Sequence, residues 1–79
     1  MATLMEKDTL IHLIAYAMSI IVLKQERSDE YEKNADFLVS KRDYIYSTSP
    51  QDIDFDVEVA AIKPIIEKYK HLPNLPEFQ

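Results

Sequence analysis

Apolar residues are unevenly spread along the chain. From Leu10 to Leu23, twelve of fourteen positions are apolar or aromatic, and only His12 and Ser19 interrupt. No other stretch is so apolar. Thr3-Leu-Met-Glu6 precedes it as a capping box, in which Thr3 accepts from the Glu6 amide and Glu6 reaches back. Helix propensity is then high through Arg27, with no Gly or Pro to stop the helix. The spacing predicts a first helix over 4–26, buried nearly all round.

Gln25–Asp29 is wholly polar. Ser28 followed by Asp29 and Glu30 places a capping hydroxyl before acids that face the helix dipole. The helix either breaks here into a hairpin or, with no strong breaker, runs straight through to about Tyr46. The marginal cover of the first helix favours the hairpin, with a second helix over 29–46 and Tyr31, Ala35, Leu38, Arg42 and Ile45 on one face. Phe37 and Tyr44, seven apart, form a second stripe off that face.

Ser47-Thr-Ser-Pro50 is a linker, and Ser49 ahead of Pro50 and Asp52 has the form of a helix start. Residues 52–59 alternate polar and apolar, as a strand would. Phe55, Val59, Ile62, Ile66 and Tyr69 instead step by four and three, as a helix would, and over a longer span. A strand would also need a partner in the chain. The expectation is a third helix over 54–71, kinked or restarted at Pro64. Pro73 and Pro76 favour an extended tail over 72–79, with Leu72, Leu75 and Phe78 along one edge of a polyproline helix. The predicted fold is all-α: one domain over 1–79, a small three-helix bundle with an extended Pro-containing tail.

The 79 residues contain neither Cys nor Gly. Without Cys there is no disulfide and no thiolate metal site, and a reducing compartment, the cytoplasm, is the expected location. Without Gly there is no phosphate-cradling loop. His12 and His71 belong to no ligand cluster, so no metal or cofactor is expected. His12 is assigned to the core and His71 to a helix C-terminus. No nucleophile stands at a recognisable spacing from a base, so no catalytic residue is named and a non-enzyme is expected.

A chain this short buries only about 60% of its unfolded surface, and small scaffolds generally need a staple. With no disulfide or metal, association is the staple expected here. A homo-oligomer is expected, with Leu10, Ile14, Ala17, Met18, Ile21, Phe37 and Tyr44 at its interface. A membrane span is the competing use of the apolar run. Its fourteen residues cover about 21 Å, against roughly 30 Å of hydrocarbon, and charges close in on both sides. The same flanks make it a poor signal peptide.

Net charge is −5, of which residues 48–62 carry −4. With no basic stripe, direct nucleic-acid binding is not expected. The acids Asp52, Asp54, Asp56 and Glu58 do not form a calcium loop, since Val57 stands where Gly is needed and Lys63 where the bidentate Glu belongs. They remain candidates for partner binding, together with Leu75 and Phe78 of the tail. The functional expectation is a non-enzymatic protein-binding module: an inhibitor, adaptor or assembly subunit, a type associated with phage or plasmid accessory proteins. Two alternatives stand beside it. Tyr31, Tyr44, Tyr46 and Tyr69 with Lys41 and Arg42 could bind a nucleotide-like anion. An extended Asp52–Glu58 edge, with carboxylates about 6.7 Å apart, could mimic nucleic acid.

Overall fold

The computed structural model describes residues 1–79 as three helices and no strand. They are α1, Leu4–Lys24; α2, Asp29–Ser47; and α3, Phe55–Tyr69. The capping box starts α1: Thr3 Oγ1 accepts from the Glu6 amide and Glu6 Oε1 from the Thr3 amide, each at 3.0 Å. Ser28 starts α2 by accepting from the Tyr31 amide at 3.2 Å. Asp54 starts α3 by accepting from the Val57 amide at 3.2 Å.

The apolar period of four and three therefore prevails over the alternation at 52–59. The boundaries differ from the sequence expectation, and α3 ends at Tyr69, which leaves His71 in the turn beyond it and not at a helix C-terminus. α1 stops at Lys24 because Gln25 turns into extended backbone and its side chain is drawn inward. Ser49 makes no side-chain cap, and Pro50–Asp52 forms a separate 3-10 turn ahead of α3. Pro64 neither ends nor restarts α3, which runs on to Tyr69. Its missing amide falls on the exposed side, beside exposed Ala60, where water can satisfy the freed carbonyl.

The three helices run up, down and up. α1 is the central helix, packed against both α2 and α3. Two ion pairs join the antiparallel α2 and α3: Lys41 to Glu58 at 2.8 Å and Lys68 to Glu30 at 2.6 Å. The bundle is elongated, 42 by 21 by 17 Å. Leu10, Ile14, Ala17 and Ile21 step along the inner face of α1 and are covered by Leu38 and Ile45 of α2 and Ile62 and Ile66 of α3. Each fully buried Leu or Ile contributes about 1.5–3 kcal/mol. Ile53, in the link before α3, is wholly buried too.

α1 is not buried all round. His12, Ala15, Tyr16 and Ser19 lie on an exposed stripe, so His12 is a surface residue and not part of the core. Two helices cover two sides of α1 and leave a third open. No helix is long and apolar enough to cross a membrane.

The tail folds back on its own chain. The Leu75 amide donates to the Leu23 carbonyl at 2.7 Å, and Lys24 Nζ donates to the Leu72 carbonyl at 2.6 Å. Both contacts sit at the C-terminal end of α1; the first supplies a donor to one of its free carbonyls, and in the second α1 donates to the tail. The last residues are not extended: Pro76–Phe78 is a 3-10 turn, with Pro76 at its first position.

Candidate functional site

The two ends of the bundle are built differently. At one end, α1 and α3 finish and α2 begins. There Gln25, almost fully buried, donates from Nε2 to Tyr69 Oη at 2.7 Å and accepts from Asn34 Nδ2 at 3.3 Å. One amide thus links all three helices, and the tail covers the same end. No buried side-chain nitrogen or oxygen in the molecule lacks a partner.

At the other end, α1 and α3 begin and α2 finishes. The Ala2 amide donates to the Pro50 carbonyl at 3.0 Å. Lys7 Nζ donates to the carbonyls of Thr48, at 2.8 Å, and Tyr46, at 3.4 Å. α2 has no basic residue in its last turn, so Lys7 of α1 supplies the cation that its C-terminal dipole favours. Between these contacts a groove opens, lined by Leu4, Met5, Lys7, Asp8, Ile11 and Tyr46. Leu4 is 74% exposed, Met5 80% and Tyr46 59%. This is the candidate site.

Sequence reasoning did not find it. Leu4 and Met5 lie at the start of α1, outside the apolar run and outside its 10-14-17-21 stripe. Tyr46 stood only in the tyrosine set. The available signal was a pair of adjacent apolar residues at a helix start that no spacing of three or four joins to the core.

The expected oligomer interface divides. Leu10, Ile14, Ala17 and Ile21 are covered within the single chain and offer nothing to a second copy. The run is long enough to serve two flanking helices, and that is how its inner face is used. Met18 is half-buried against the core, while Phe37 and Tyr44 remain exposed on α2. Lys41 Nζ lies between these two rings, 5.7 Å from the Phe37 centroid and 5.8 Å from that of Tyr44.

The acidic set also divides. Asp52, Asp54 and Asp56 are exposed, whereas Glu58 is buried under its pair with Lys41. On a helix, alternate residues point about 200° apart, so Asp56 faces away from Asp54 and Glu58, and Glu58 is taken up by Lys41. The extended row of carboxylates required for nucleic-acid mimicry does not form. Of the tail residues, Leu75 is half-buried on the end of α1 and Phe78 is exposed.

The tyrosines do not gather into a nucleotide pocket. Tyr31 and Tyr69 are buried at the closed end, Tyr31 beneath the Arg27 guanidinium at 4.3 Å. Tyr44 and Tyr46 are some 20 Å along α2 from Tyr31. The two cations assigned to phosphate stand beside carboxylates, Lys41 on Glu58 and Arg42 on Asp43 at 3.6 Å.

One exposed pair perturbs its own titration. The Lys68 ammonium, hydrogen-bonded to Glu30, holds that carboxyl below its ordinary value. In return Glu30 raises Lys68 above the usual lysine value. The pair ties the start of α2 to the end of α3, away from the groove.

No protein-family model matches the chain, and neither does any curated protein or solved structure.

Proposed function

We propose that the chain is a non-enzymatic protein-binding module, of the inhibitor, adaptor or assembly-subunit kind, that takes a partner into the groove between the start of α1 and the end of α2. The observation that carries this reading is the side-by-side exposure of Leu4, Met5 and Tyr46 around Ile11. Clustered exposed apolar residues mark interaction surfaces, whereas scattered ones do not. Covering three such side chains is worth about 5–8 kcal/mol before the cost of association. A micromolar complex needs about 8 kcal/mol net, so polar contacts must add to the apolar ones.

A photo-crosslinking residue at position 5 tests this in an extract of the native host, with the same residue at exposed position 67 as reference. A discrete adduct from position 5 alone is the expected result. Equal labelling from both positions, or none, overturns the reading.

Self-association is a second reading, and the exposure of Phe37 and Tyr44 favours it. Aromatic residues are enriched at interfaces, and two turns of α2 separate these two. Light scattering should then give at least twice 9.2 kDa, reverting to a single mass in Phe37→Ser with Tyr44→Ser. A wild-type chain of 9.2 kDa at micromolar concentration removes this reading and leaves the groove untouched.

A further inference from the structure

The charge of the molecule is as lopsided as its closure. Residues 1–12 and 41–62, which make up the open end, hold seven acids and three bases, a net −4. The remaining residues hold seven acids and six bases, a net −1. The bases at the open end are also engaged. Lys7 sits on the carbonyls of Tyr46 and Thr48, Lys41 on Glu58, and Arg42 beside Asp43. Asp8, Asp52, Asp54 and Asp56 are exposed and have no basic partner within 4 Å. Asp8 lines the groove itself.

We infer that the groove takes a basic amphipathic helix of another protein, with its apolar face between Leu4, Met5 and Tyr46 and its cations toward the surrounding carboxylates. This rests on the groove being the docking site, and adds which partner it selects. An apolar groove receives an amphipathic helix by its spaced apolar anchors. The surrounding charge then sets the choice of partner and the encounter rate. The same charge opposes a second copy docking there, because two ends of net −4 would meet.

Fluorescence anisotropy tests the inference with two labelled designed helices that share one leucine face. One carries lysine on its polar face and the other glutamate. The lysine helix should bind on the order of tenfold tighter or more, with the advantage shrinking as salt is added. Leu4→Ser with Met5→Ser should weaken it about tenfold or more, as truncating interface anchors does. Both positions are exposed, and far-UV circular dichroism checks that the fold is kept. Asp8→Asn, in the groove itself, should narrow the gap between the two helices. Phe78→Ser, an exposed apolar change outside the groove, should alter nothing.

Equal affinity for the two helices, with both lost on Leu4→Ser with Met5→Ser, overturns the charge selection and keeps the groove. Binding of the lysine helix that survives the double change overturns the inference, because the contact is then general attraction to an acidic protein. Failure of both helices to bind removes the groove, and with it the docking reading. A wild-type dimer that the double change dissociates makes a second copy the occupant and overturns the inference as well.

Discussion

The closed end and the open end of the bundle are made from the same three helices, yet they treat their exposed groups in opposite ways. At the closed end Gln25, Asn34 and Tyr69 satisfy one another, the Leu75 amide of the tail donates to the Leu23 carbonyl, and Lys24 donates to the tail's Leu72 carbonyl. At the open end the backbone is satisfied just as well, through Ala2 and Lys7, but Leu4, Met5 and Tyr46 are left in water. The difference lies in apolar cover and not in hydrogen bonding. Leu72 and Phe78 stay partly exposed at the closed end too, but Leu4, Met5 and Tyr46 are more exposed and share one groove, which is how an interaction surface differs from scattered apolar residues. Stability and recognition are thus placed at opposite ends, and substitutions can separate them.

The largest effect should come from Ile21→Asp, near the closed end, where the side chain has no exposure. An unpaired buried carboxylate costs several kcal/mol, a large share of the about 5–15 kcal/mol that holds a domain together. Circular dichroism at room temperature should show an unfolded chain. Met5→Asp is the matched change at the open end and should leave the spectrum and the melting temperature nearly unaltered. If the two variants lose the same amount, the ends are not different and the comparison fails.

Lys41→Met comes next. It strips the partner from Glu58, whose side chain is only 8% exposed, and should cost about 2–3 kcal/mol in chemical denaturation. The double change Lys41→Met with Glu58→Met should recover most of that, because a buried ion pair is often replaceable by apolar packing. A double variant as weak as the single one would mean that Lys41 acts by covering Phe37 and Tyr44 and not by pairing.

Gln25→Ala should cost about 1–3 kcal/mol, since it leaves Tyr69 Oη and Asn34 with an unmet partner at the closed end. For a domain of this size each kcal/mol lowers the melting temperature by roughly 4–8 °C. A loss too small to measure would mean that the Gln25 hydrogen bonds add nothing net to stability, and the closed end would be held by apolar packing alone.

These residues also show what was legible in the sequence and what was not. Periodicity and caps were sufficient for the helices: Thr3, Ser28 and the Phe55–Tyr69 spacing each placed an element within a few residues. Use of the apolar run was harder. A helix rich in Leu and Ile on every side does not say which face meets its own chain. Leu10 and Ile14 went inward, while His12 and Tyr16 stayed out. Gln25, in a wholly polar block at the end of the first helix, carries no sequence sign of burial, because its burial depends on Asn34 and Tyr69, nine and forty-four positions away. The groove was invisible for the same reason. It joins Leu4 to Tyr46, and only the packing of α2 against α1 brings them together.

The smallest effect should be that of the Glu30–Lys68 pair, exposed and at the closed end. Its two shifts have opposite consequences with pH. Glu30 is held below its ordinary value of 4.5, so its contribution is complete above that value and disappears as pH falls through the lower, folded one. Lys68 is held above its ordinary value of 10.5, so its contribution is complete below that value and disappears as pH rises through the higher, folded one. Glu30→Gln should therefore lower the urea midpoint slightly at neutral pH, and the two proteins should converge once acid has protonated Glu30 in both states. Added salt should shrink the neutral-pH difference, because exposed pairs are screened. A difference that persists in acid would assign Glu30 a role other than pairing, such as its position in the first turn of α2. The closed end would then owe nothing to this ion pair, and its distinction from the open end would rest on Gln25 and the tail.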